Sequence, residues 1–99
     1  MTDLLLNRRE TPKGLLVSVC DADILGEEFG NGSISLTVTH EFYDGPVADP
    51  QTVIDTLARC DVANLVGTEA VSLAVEQGFV DEADVLDVGE TQHAQLLWL

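Results

Sequence analysis

The side chains able to do chemistry in this sequence are few. Asn64, Gly67 and Thr68 fall just before a run with helical apolar spacing. Free backbone N–H groups at a helix start can hold a phosphate or carboxylate, and a glycine there lets a ligand approach the backbone. The plainer use of these residues is a tight connection, with Thr68 as a cap and Asn64 bonding the turn. The full glycine-rich nucleotide signatures are absent. His93 and Gln95 lie on the terminal strand, where His93 would become a general base or a metal ligand if His40, Asp21 or Asp23 met it in space. More simply, Asp21 or Asp23 caps the short turn that follows, and the parity of His40 turns it inward. Cys20 and Cys60 lack C-x-x-C spacing and have no nearby positive charge to lower a thiol pKa. Both read as small buried hydrophobes, and zinc or nucleophilic chemistry is not expected of them.

Two further groups suggest contact more than catalysis. Arg8, Arg9 and Lys13 form a basic spot able to meet an acidic partner or a phosphate, although hairpin charges are commonly just solvated. Leu96, Leu97, Trp98 and Leu99 end the chain as an apolar run. On a strand, one parity of that run has no obvious destination, so Leu97, Trp98 and Leu99 mark a candidate interface unless the sheet covers both faces.

The elements that must position these residues follow from periodicity. Leu4 to Arg9 and Leu15 to Cys20 read as an antiparallel hairpin closed by Thr11-Pro12-Lys13-Gly14. Asp21 to Gly26 reads as one helical turn. Ser33 to Phe42 reads as a long strand, with Ile34, Leu36 and Val38 alternating against Ser35, Thr37 and Thr39, and with His40 and Phe42 on the buried parity. Asp49 followed by Pro50 starts a helix that ends near Asp61, with Val53, Ile54, Leu57, Ala58 and Cys60 on its apolar face. Val62 to Gly67 reads as a short connection into a second helix, Thr68 to Gln77, stopped by Gly78. Asp81 to Asp84 reads as an acidic turn, and Val85 to Val88 with Gln92 to Leu99 as a second hairpin. The sum is one α+β domain over residues 1–99, with a mainly antiparallel sheet of about five strands and one principal helix pair on one face.

Charge bounds the partners. Eighteen Asp and Glu stand against four Lys and Arg, for a formal net charge of -14, yet the acids are dispersed among apolar residues as in a folded chain. Such a surface repels itself in ordinary buffer. At about 1 M ionic strength the Debye length shrinks to roughly 3 Å and the repulsion is screened, which points to a salty cytosol. DNA is not an expected partner: a helix-turn-helix reading of the two helices would present Glu69, Ser72, Glu76 and Gln77 to the phosphates. No leader for export and no apolar run of membrane-spanning length is visible, so a cytoplasmic protein with no membrane partner is expected.

Several stretches together resemble an archaeal family known as domain of unknown function 424: Leu16-Val17-Ser18-Val19-Cys20-Asp21 leading to Leu25-Gly26, Glu41-Phe42-Tyr43-Asp44-Gly45, Ala63-Asn64-Leu65-Val66-Gly67 with Ala70-Val71, Gly78-Phe79-Val80, and His93-Ala94-Gln95. They cover most of the chain in order. The resemblance implies a compact archaeal protein without an assigned activity, loosely associated with the translation apparatus; the excess of acid would make this a haloarchaeal member.

The function expected is a non-enzymatic binding or accessory module without metal or cofactor, whose partner is a protein, a ribonucleoprotein or a second copy of the chain. The competing expectation is a small ligand-binding protein or enzyme using Asn64, Gly67 and Thr68 together with His93 and Gln95.

Overall fold

The computed structural model describes residues 3–30 and 32–98. Leu99, one of the three candidate interface residues, lies outside them. A six-stranded sheet runs in the order β5-β1-β2-β6-β8-β7, from β1 (Leu4–Thr11), β2 (Gly14–Asp21), β5 (Val47–Ala48), β6 (Val62–Val66), β7 (Leu86–Val88) and β8 (Thr91–Leu97). β2 and β6 are parallel, while the other four pairings are antiparallel. β3 (Glu28–Gly30) and β4 (Ser35–Thr37) form a separate small hairpin. The helices are α1 (His40–Tyr43), α2 (Pro50–Arg59) and α3 (Thr68–Glu76). The α+β class and the helix pair on one face are as expected, but the sheet is mixed and has six strands.

The β1–β2 hairpin, the β7–β8 hairpin, α2 and α3 form close to where their periodicity places them. α2 starts as its sequence dictates: Pro50 needs no hydrogen bond at the first helical position, and the Asp49 carboxylate accepts from Thr52 N at 2.8 Å. The Thr52 side chain, together with that backbone bond, holds Asp49 below the ordinary carboxylate value. The apolar faces of α2 and α3 meet the sheet through Val53, Leu57, Ala70, Val71 and Ala74, packed on Val17, Val19, Ala63 and Leu65.

Two expectations are overturned. Val62 to Gly67 is no helix-to-helix connection, since Val62–Val66 is a strand inside the sheet, flanked by β2 and β8. With Asn64 as its single polar residue this five-residue strand shows no clear apolar–polar alternation, and the pairing that stabilises it lies far away in sequence. With a strand between its two helices, the helix-turn-helix reading also falls. The second correction concerns Ser33 to Phe42, where only Ser35–Thr37 is strand. Thr39 accepts from Phe42 N at 3.3 Å and caps the short helix α1. The chain rotates there, and His40, expected inside, exposes 70% of its side chain.

β2 and β6 also fix which residues share a face. Directly paired residues point to the same side, which sorts the sheet into rows across β1, β2, β6 and β8: Arg9–Leu16–Val62–Leu97, Asn7–Ser18–Asn64–Gln95, and Leu5–Cys20–Val66–His93. All three rows lie on the face opposite α2 and α3. Leu5, Cys20 and Val66 of the third row are roofed by Val38 and Tyr43, with Phe29, Leu36 and Phe42 packed against them. The roof stops short of Gln95 and Leu97, which are exposed, and meets the exposed Arg9 only at its edge, through Phe42.

Candidate functional site

The start of α3 is already filled. Asp21, at the end of β2, is 4% exposed and points to the helix side of the sheet. Its Oδ1 accepts from Ala70 N at 2.9 Å and its Oδ2 from Glu69 N at 3.1 Å. Thr68 is exposed and Gly67, with a φ of 114°, stands at the cap position with no side chain to offer. The carboxylate therefore comes from another strand, and it occupies the place an anionic ligand would take. A Cβ on Gly67 would overlap the Asp21 carboxyl group, so the glycine makes room for an internal anion and not for an external one. Asp21 makes no capping bond to the turn that follows it.

The remaining candidate residues divide in two. Asn64 and Gln95 are cross-strand partners, and Gln95 Nε2 donates to Asn64 Oδ1 at 2.9 Å. His93 lies next to them on the same face, half-buried, and burial lowers its pKa from the ordinary histidine value. Asp21 projects from the opposite face, so the Asp21–His93 pairing considered above does not form. His40 instead sits 4.0 Å from Asp44 on α1. Among the described residues, no group of three or more His, Cys, Asp and Glu is placed to hold a metal. Three clefts, of about 490, 380 and 210 Å³, open on the helix side or at its margins, and Asn64, Gly67, Thr68, His93 and Gln95 line none of them.

The basic spot is split by strand parity. Arg8 faces α2 and lines the smallest cleft together with Asp55 and Arg59. Arg9 faces the opposite side, where its guanidinium lies 5.8 Å from the Phe42 ring centroid and Nη2 donates to Glu41 O at 2.9 Å. It works as a strut from β1 to α1. Trp98 is similarly anchored, since Nε1 donates to Leu57 O at 3.0 Å at the end of α2 and the ring meets Phe79 edge-on at 6.3 Å. Its 49% exposure and the 59% exposure of Leu97 leave an apolar surface on either side of the sheet margin.

Both thiols are closed off. Cys20 is fully buried, and burial, reinforced by Asp21, Asp44 and Asp23, pushes its pKa up to about 12. Burial likewise pushes Tyr43 up to about 12, with Cys20 adding to it, and raises Cys60. These folded-state values exceed the ordinary 9.0 and 10.0. The protonated groups therefore favour the folded state below the ordinary values, and that contribution is lost as pH climbs toward about 12. Native protein is expected to resist a thiol-reactive dye at neutral pH and to label at both cysteines once unfolded, with melting midpoints falling above about pH 9. Rapid native labelling of Cys20 would contradict this closed site.

What sequence reasoning missed is the surface that the rows create. Asn7, Leu16, Ser18 and Val62 join Asn64, Gln95, Arg9 and Leu97 on one face. Asn7 Nδ2 donates to Asp44 O at 2.7 Å and Ser18 is 2% exposed, so the polar row is ordered at its β1 and β2 end. No Asp or Glu occurs in any of the three rows, although eighteen are present in the chain. The visible signal is Ser18 and Asn64, two polar residues in the middle of largely apolar strands.

No curated protein matches this sequence. Among solved structures, the fold is similar to the crystal structure of an uncharacterized conserved protein from Methanopyrus kandleri, with a TM-score of 0.77 and 24% sequence identity over 97% of this chain and 94% of that one. No helix among the described residues is long and apolar enough to cross a membrane. The family model described as "Protein of unknown function (DUF424)" matches residues 9–99, and with nearly the whole chain matched, the protein belongs to that family.

Proposed function

We propose that the domain is a non-catalytic binding module whose contact surface is the uncovered part of the sheet face formed by Arg9–Leu16–Val62–Leu97 and Asn7–Ser18–Asn64–Gln95. The observation that carries this reading is the absence of carboxylates from those rows in a chain of net charge -14. The exposed acids elsewhere on the molecule keep it hydrated and apart from its neighbours. Amides beside aliphatic side chains offer donors, acceptors and apolar area together, the mixture typical of interface centres depleted in charge. The catalytic alternative loses its anion site to Asp21, and Asn64 and Gln95 become part of the contact surface, with His93 in the adjoining row.

The finer reading is a cytoplasmic accessory protein of the translation apparatus in a high-salt cell. The resemblance described above supports the first part and the charge supports the second. The test is sedimentation of native lysate on a gradient at about 2 M KCl, where electrostatic attraction is screened. The protein is expected to travel with ribosomal subunits, and Leu16→Asp and Asn64→Asp, in variants that keep the native circular dichroism, are expected to return it to the top of the gradient. Migration of the unaltered protein only as a free small species would overturn the translation reading, and co-migration unaffected by either substitution would overturn the surface.

A further inference from the structure

The two long margins of the sheet are protected unequally. On the β1 side, β5 covers Leu4 and Leu5, Leu6 N donates to Pro46 O at 3.1 Å, and the strand then continues through Arg8, Arg9 and Glu10. Charges of this kind are how edge strands normally discourage pairing with another chain. On the other side, β7 pairs with β8 only at Thr91, Gln92 and His93. If β7 extended backward in register it would meet Gln95 with Asp84, but Asp84 N donates to Asp81 O at 2.9 Å within a 3-10 turn that carries the chain off the edge.

The hydrogen-bond phase of β8 identifies the groups left open. Gly67 N donates to Gln92 O at 2.9 Å and Trp98 N to Asp61 O at 3.0 Å. In an antiparallel pair the bonded positions alternate, so Gln92, Ala94, Leu96 and Trp98 turn their backbone groups toward β6. His93, Gln95 and Leu97 turn theirs outward. His93 meets Leu86 of β7, whereas Gln95 and Leu97 meet no strand among the described residues. From Thr91 to Trp98 there is no Asp, Glu, Lys, Arg or Pro.

We infer that this edge pairs with the same edge of a second copy of the chain, antiparallel, with Gln95 of each copy opposite Leu97 of the other. That register joins outward-facing residues in two bonded pairs, giving about four inter-chain backbone hydrogen bonds, and sets Leu96 against Leu96 across the two-fold axis. A second copy fits better than a foreign strand because the pattern is self-complementary. It also brings two chains of net charge -14 together along an uncharged segment. The exposed Leu97 gains cover, and the two acid-free faces become continuous. This inference does not depend on the proposed function.

Sedimentation velocity of the full chain at about 2 M KCl, over about a hundredfold range of concentration, tests it by mass action. The expected result is a concentration-dependent species of twice the chain mass, with amide exchange at Gln95 and Leu97 slowing as that species forms. Leu97→Lys is expected to leave a folded monomer because the side chain is exposed, and Leu97→Pro to do the same by removing an N–H with no bond among the described residues. A monomer at every concentration overturns the inference, as does a dimer that survives Leu97→Lys or one whose Gln95 and Leu97 amides exchange as in the monomer.

Discussion

Asp21→Ala is expected to lower stability by about 3 kcal/mol, read as a fall in melting midpoint of roughly 12–24 °C at about 4–8 °C per kcal/mol for a domain this size. The substitution removes the acceptor for the first N–H groups of α3 and strands them in a site 4% exposed at Asp21. Asp21→Asn is expected to cost about half as much, because the amide oxygen keeps one of the two acceptor positions while its NH2 group faces the other N–H, a loss partly offset because the charge is no longer buried. Burial raises the pKa of Asp21 against the lowering effect of the Glu69 and Ala70 bonds. With the folded-state value above the ordinary 3.8, its contribution is greatest below that pH and is lost as pH rises through the folded value, a dependence the Asn variant abolishes.

Gly67→Ala supplies the decisive partner measurement. At φ 114° an alanine is strained, and its Cβ overlaps the Asp21 carboxyl, so a loss of about 2–4 kcal/mol is expected. In the Asp21→Ala background the overlap is gone and only the backbone strain remains. The double variant should therefore be more stable than the sum of the two losses predicts, by about 1 kcal/mol or more. Additivity within about 0.5 kcal/mol would show that Gly67 is not there to admit the carboxylate.

Raising KCl from about 0.1 to about 2 M is expected to lift the melting midpoint by about 15 °C. A net charge of -14 is gathered on a body with a radius of gyration of 12.4 Å, against about 30 Å for an unfolded chain of this length. Compaction at low salt therefore carries a repulsion of several kcal/mol that screening removes. Replacing the exposed Glu10, Asp55, Glu76 and Glu90 by their amides should raise the low-salt midpoint and shrink the salt response together. Equal midpoints at the two salt concentrations would refute adaptation to high salt.

Strand β6 separates what the chain states locally from what only folding settles. The two hairpins, both longer helices, the Asp49–Pro50 helix start, the α+β class and the acidity are legible in the residues alone, because turn chemistry, capping and apolar period act over a few residues. Val62–Val66 looks like a connection in sequence because what makes it a strand is distant: pairing with β2 on one side and β8 on the other. The same distance hid the site. Asn64 and Gln95 were each visible as polar residues, but their bond, the acid-free rows and the outward phase of Gln95 and Leu97 depend on register between strands. Asp21 is the clearest case. Its sequence neighbours offered it a turn to cap, and the tertiary structure gave it α3 because parallel pairing of β2 with β6 brings the end of one strand beside the helix that follows the other. Local interactions fix elements, while the loop-closing contacts that decide faces and edges leave little trace until the chain is folded.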